Sequence, residues 1–388
     1  MKTLLASHRP TWAESDLLAL SANLRAIRNR VGDRPILAVV KANAYGHGAA
    51  GIARALVRDG VERLGVAIPE EGIELRQAGV SAPILVLGGF APEQADLLLQ
   101  HRLVPAVFRP DQVEALSRAA SRRGAAAPVH VKVDTGMGRL GVPAGDLPAF
   151  AGLLAQAPAI RVTGAFSHLA VADDPRDPFT RRQIDLFREA VEALRERGLA
   201  PEETHLANSA AIMDHPPAWL SLVRPGLVLY GYPPSPGVTP LPVKPVLSLK
   251  TRIIFLKEVP AGTSLGYGRT FVASRTTRVA SLALGYDDGL PRQASNGGHV
   301  LVRGRKAPIA GRISMDLTTV DVTDVPGAAL GDEVIVIGSS GGESIGADRV
   351  ASWAGTITWE VLCGIGSRVP RLFVRGEERE LVSRFATP

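Results

Sequence analysis

The sequence has a single cysteine, Cys363, in 388 residues. That excludes an internal disulfide framework and suits a reducing compartment, so a cytoplasmic protein is expected. It also lacks a concentrated basic face. The net charge of +6 comes mostly from scattered arginines, and the longest basic cluster is Arg303, Arg305 and Lys306, so no nucleic-acid partner is expected. No apolar run is long enough for a membrane span. At the start, Leu4 and Leu5 are followed by His8, Arg9 and Pro10, too short a stretch for a signal-peptide core. No long low-complexity tract occurs, and the first strand-to-helix junction carries no dinucleotide-type glycine fingerprint.

What is present is a regular alternation. Short apolar runs occur at 36–40, 64–68, 84–87, 104–108, 129–133, 160–166, 204–207 and 220–223, with amphipathic stretches between most of them. In 179–197, for example, Ile184, Phe187, Val191 and Leu194 share one helical face. Eight strands alternating with helices predict a parallel sheet closed as a (β/α)8 TIM barrel, an α/β fold. After Tyr232 a proline-rich linker intervenes (Pro233, Pro234, Pro236, Pro240, Pro242), and the chain becomes alternating and β-branched. Residues 1–242 are therefore expected to form the barrel, the first residues packing on the β domain, and 243–388 a C-terminal mostly-β domain. Strands are expected at 247–256, 277–284, 299–302, 317–322 and 333–337, and a helix at 347–354.

A barrel enzyme carries its chemistry at the C-terminal ends of its strands. The first strand ends at Lys41, where apolar neighbours lower the amine pKa and favour the nucleophile that forms Schiff bases. The fifth strand ends at Asp134 before a glycine-rich turn, the sixth at Ser167 and His168, the seventh at Asn208 and Ser209, and the eighth at Arg224. Asn208, Ser209 and the backbone at Gly226 and Leu227 offer hydroxyl, amide and main-chain donors where barrels commonly bind phosphate. A Schiff-base lysine facing a phosphate cradle suggests pyridoxal 5'-phosphate. No metal site is expected.

The blocks AVVKANAYGHG (38–48), VKVDTGMGRLG (131–141), FSHLAVADD (166–174), HLANSAA (205–211), RPGLVLYG (224–231), SLGYGRTF (264–271), LALGYDDGLPR (282–292) and GRISMDLTTVD (311–321) resemble, in order and through nearly the whole chain, the bacterial alanine racemases. The resemblance implies a barrel with a C-terminal β domain and a homodimer whose active sites are completed across the subunit interface. It implies that Lys41 holds pyridoxal phosphate and acts as one acid/base, and that Tyr267 reaches in from the partner as the other. Two bases are wanted because the α-proton leaves one face and returns to the other. A tyrosine of ordinary pKa, about 10, needs nearby positive charge to act as a base, for which His168 and Arg224 are the candidates.

Arg224 is implied to lie against the pyridine nitrogen, Tyr45 to touch the phosphate, and Arg139 to contact the substrate carboxylate. The Met315 amide is implied as a second carboxylate contact, Asp316 as part of the partner-chain wall, and Tyr286 as a tyrosine at the mouth of the site. Lys132 matches a position carbamylated in some relatives, where the added carboxylate orients Arg139. The expected reaction is the interconversion of L- and D-alanine, supplying D-alanine for peptidoglycan. Two departures stand out: Ser314 replaces a cysteine of some relatives, and Ser367 replaces a tyrosine whose bulk narrows the pocket. The alternatives are accordingly a broader amino-acid racemase, accepting serine or larger substrates, and a non-catalytic carrier of pyridoxal phosphate.

Overall fold

Seven short strands lie side by side in chain order in a computed structural model that describes residues 9–383. They are Leu37–Val39, Arg63–Val66, Ile84–Val86, Val104–Val107, Ala127–Asp134, Ile160–Phe166 and Glu203–His205, all parallel. The expected eighth strand is too short to form a ladder, yet it closes the ring. Ser221 N–H donates to Thr204 O and Arg224 N–H to Ala207 O on one side, while Leu37 N–H donates to Val223 O and Val39 N–H to Pro225 O on the other. Parallel strands covered on both faces must be apolar throughout, and Leu37–Val39 and Ile84–Val86 are buried at every position. The helix Phe179–Glu196 buries the predicted face of Ile184, Phe187, Val191 and Leu194.

The chain divides into two compact units. One is built from Leu20–Ala44 and Ala49–Lys244; the other comprises, among the described residues, those up to Ala19, Tyr45–Gly48, and those from Pro245 on. The second is mostly β, organised on the long strand Leu247–Val259. This strand pairs with Trp12–Asp16, Glu333–Ser340 and Thr277–Leu282, and its register shifts between Ile253 and Phe255 let it serve different neighbours along its length. The strand His299–Val302 and the helix Ala347–Ala354 match expectation. A second helix, Thr358–Cys363, and the strands Arg305–Pro308, Arg371–Arg375 and Glu378–Val382 were not foreseen. Among the described residues no helix is long and apolar enough to cross a membrane. The leading stretch considered as a signal peptide, residues 1–8, lies outside them.

Candidate active site

Lys41 lies just beyond the end of the first barrel strand, separated from it by Val40, and a left-handed turn follows it. Ala42, Asn43 and Ala44 adopt left-handed helical angles, with φ of 51, 54 and 52°. With Tyr45 also at a φ of 52°, four L-residues in succession have positive φ, at a cost on the order of 1–2 kcal/mol each, so other groups must hold the turn. Ala44 N–H donates to Val40 O at 2.9 Å, and Asn43 Oδ1 accepts Ala49 N–H at 2.7 Å. Glu71 accepts Ala42 N–H through Oε1 at 2.6 Å and Ala67 N–H through Oε2 at 2.7 Å. This carboxylate ties the turn after Lys41 to the end of the next strand. Tyr45 ends the turn, buried and held as a neutral phenol by its desolvation; it belongs with the segment 45–48 in the β-rich unit.

Arg224 is almost wholly buried and is fixed by several acceptors. Its Nη2 donates to Ser167 O at 2.8 Å and Leu206 O at 3.1 Å, with His168 Nδ1 at 3.4 Å, and its Nη1 donates to His205 Nδ1 at 2.9 Å. His205 Nε2 in turn lies 2.9 Å from His130 Nδ1, and His130 Nε2 lies 3.6 Å from Glu203, which pairs with Arg63. A guanidinium can only donate, so His205 must accept at Nδ1 and carry its proton on Nε2. His130 must then accept at Nδ1 and carry its proton toward Glu203. Both imidazoles are neutral, since burial first and the neighbouring arginines second push their pKa values down, that of His130 to about 3. Burial likewise lowers Arg224 to about 9, leaving it cationic at neutral pH.

His168 requires a correction to the expected electrostatics. Burial, and then Arg224, Lys132, Arg139 and Lys41, hold its pKa well below the ordinary histidine value. It is therefore a neutral imidazole, and the positive charge expected of the pair rests on Arg224 alone. His205 and His130 had been given no role. The signal was an imidazole beside apolar residues, His130 between Val129 and Val131 and His205 before Leu206 and Ala207. A Cβ on Gly164 would stand 2.4 Å from His130 Cε1 and 2.5 Å from Nδ1. Gly164→Ala should therefore displace the ring and cost about 1–3 kcal/mol, measured as a lowered urea midpoint at unchanged slope; an unchanged midpoint would show that the His130 ring yields freely.

Lys132 is buried at 6 % exposure, with Nζ 4.3 Å from the centre of the Phe166 ring, over which Arg224 Cζ also sits at 5.5 Å. Desolvation first, then Arg224 and Arg139, lower its amine to about 7, while the aromatic face replaces part of the lost hydration. Arg139 is exposed in the turn that follows Asp134, whose carboxylate accepts the Gly136 and Gly138 amides.

The residues expected to form a phosphate cradle lie together. Asn208 caps the helix Ser209–Asp214 by accepting Ala211 N–H, and Ser209 Oγ accepts Gly226 N–H at 3.0 Å and Val228 N–H at 3.3 Å. A hydroxyl that already accepts twice has its proton left to donate. The Leu227 amide, in a residue only 1 % exposed, donates to no group among the described residues. Donors gathered two residues beyond the buried Arg224 could hold a phosphate group.

The remaining candidates belong to the β-rich unit, and each is exposed there. Tyr267 is 70 % exposed on a 3-10 turn between the short strands Ser264–Leu265 and Phe271–Val272; Tyr286 and Met315 are 40 % and 52 % exposed. Asp316 is also exposed and pairs with Arg368, and Ser367 lies exposed beside that arginine.

An alanine racemase N-terminal domain family matches residues 15–234, and an alanine racemase C-terminal domain family matches 246–373. An alanine racemase of Halothermothrix orenii is 46 % identical over 94 % of this chain and 96 % of that protein. Among solved structures, alanine racemase from Clostridium difficile 630 superimposes with a TM-score of 0.93 at 35 % identity, covering 98 % of this chain and all of that one. Alanine racemase from Bacillus anthracis with bound L-Ala-P gives 0.91 at 35 % identity, covering 97 % and 98 %.

Proposed function

The chain belongs to the alanine racemase family of isomerases, and from that premise we propose that it interconverts L- and D-alanine as a cytoplasmic, pyridoxal-phosphate-dependent homodimer supplying D-alanine for peptidoglycan. Lys41 would hold the cofactor covalently, and Ser209, Asn208, Tyr45 and the Gly226 and Leu227 amides would hold its phosphate. When bound, pyridoxal phosphate would acidify the Cα–H of an amino acid. Lys41 serves one face of Cα, and the partner's Tyr267 the other. Arg139 and the partner's Met315 amide bind the carboxylate, with the partner's Asp316 and Tyr286 lining the approach.

The observation that carries this reading is Arg224, buried and over-determined by acceptors. As a donor-only group at the ring nitrogen, it would leave that nitrogen unprotonated and the ring a weaker electron sink, so returning a proton to Cα outcompetes transamination. A decarboxylase of similar architecture would want an acid there. The same charge favours the phenolate form of a tyrosine close by, through the neutral His168.

Lys132 is read as a carbamate. A buried amine lowered to about 7 is substantially neutral at physiological pH; it attacks carbon dioxide, forms an N–C bond and releases a proton. Arg224 and Arg139 favour the resulting anion, which would orient Arg139. Protein equilibrated with 13C-bicarbonate should show a carbamate carbon resonance that fades as pH falls below 7 and is missing from Lys132→Met. A wild-type spectrum without it would leave Lys132 an unmodified amine.

A chiral assay of the purified protein with added pyridoxal phosphate tests the reading, with L-alanine and L-serine offered separately and α-deuterium exchange followed alongside. Rapid D-alanine formation with little D-serine supports it. Comparable rates would indicate a broader racemase, which the small Ser367 favours. Cofactor binding without exchange would indicate a carrier.

A further inference from the structure

Met315 sits on one turn and Tyr286 on another, and the two turns are bonded together within the β-rich unit. Tyr286 N–H donates to Ser314 O at 3.0 Å, and Asp287 N–H to Met315 O at 3.1 Å. The turns approach so closely that a Cβ on Gly285 would lie 2.3 Å from both the Ser314 and Met315 carbonyl oxygens. Arg368 spans the pair. Its Nε meets Asp288 at 2.8 Å and Asp287 at 2.9 Å, its Nη1 meets Asp316 at 2.7 Å, and its Nη2 donates to Met315 O at 3.3 Å. Beneath it Asp288 is 1 % exposed and also accepts from Gly285 N–H and Arg9.

A trans peptide points its C=O and N–H in opposite directions. With Ser314 O held by Tyr286, the Met315 N–H must point away from the Tyr286 turn, and it donates to nothing among the described residues. With Met315 O held by Arg368 and Asp287, the peptide on the other side of Met315 is fixed as well. We propose that Arg368, anchored on buried Asp288, is a positioning residue for substrate binding: it aims the Met315 amide at the carboxylate of the amino acid and joins the Met315 and Tyr286 turns into one rigid edge. This deepens the racemase reading and rests on it.

The test compares holoenzymes carrying Arg368→Gln and Arg368→Lys with wild type, measuring KM and kcat for L-alanine and the inhibition constant of propionate, a carboxylate lacking the amino group. Losing alignment of one hydrogen bond to a charged ligand should raise both KM and the propionate constant about tenfold. The change in kcat should stay within about threefold, the pattern of lost uniform binding. Lysine, a point charge that cannot span four acceptors, should restore little of this; it also keeps the test available if the glutamine variant fails to fold. In purified mixed dimers with Lys41→Ala chains, the one intact site takes its Met315 turn from the chain with native Arg368, so KM should return to normal. Unchanged KM and propionate binding with only a lowered Tm, a fall in kcat alone, or a raised KM persisting in mixed dimers would each overturn the assignment. A wild-type protein that racemises nothing would instead overturn the reading beneath it.

Discussion

Lys41→Ala should lose the yellow colour of covalently held pyridoxal phosphate and reduce racemisation by more than about 10⁴-fold, since one change removes both the anchor and a general acid/base. The loss should be chemical and not structural. Alanine suits the end of an apolar strand, and the left-handed turn that follows is held by Glu71, Asn43 and Val40 O, none of which needs the ammonium. Thermal unfolding of the apoprotein should therefore stay close to wild type. Added methylamine, small enough to occupy the vacated side-chain volume, should restore a fraction of the activity. A variant that stays yellow and active would remove Lys41 from the chemistry altogether.

The barrel was legible because a parallel sheet buried on both faces leaves short apolar runs separated by amphipathic helices, and nothing else in the chain follows that period. The polar strand ends were legible for the same reason, as interruptions of a pattern. The left-handed turn was not: Ala42 and Ala44 carry no preference for such angles, and the stabilising partners Glu71 and Ala49 are distant or unremarked in sequence. The charge state of His168 was also hidden, because it depends first on burial and then on Arg224, Lys132 and Arg139, which lie apart in sequence. Arg368 looked like any arginine before Val369 and Pro370. Its value appears only when Asp287, Asp288 and Asp316 are brought around it. In the β unit, the missed helix Thr358–Cys363 is a six-residue element, too short for a helical period to register.

Tyr267→Phe should slow racemisation by about 10²–10⁴-fold while leaving cofactor colour intact. The tyrosine is 70 % exposed within its own chain, so no folding cost is expected from deleting its hydroxyl. The equilibrium constant for two enantiomers is unity, so kcat/KM must fall equally in the two directions and steady-state racemisation cannot reveal which face was lost. Washout of the α-deuterium can. The enantiomer whose proton Lys41 removes should still exchange with solvent without inverting, and the other should exchange at a rate reduced by the full factor. Equal retention of exchange in both would remove Tyr267 as a base. Purified mixed dimers of Tyr267→Phe with Lys41→Ala chains should recover about half the wild-type activity, since one of two sites then joins an intact lysine to the partner's intact tyrosine. No recovery would mean that each site is built within a single chain, and the exposure of Tyr267 would need another occupant.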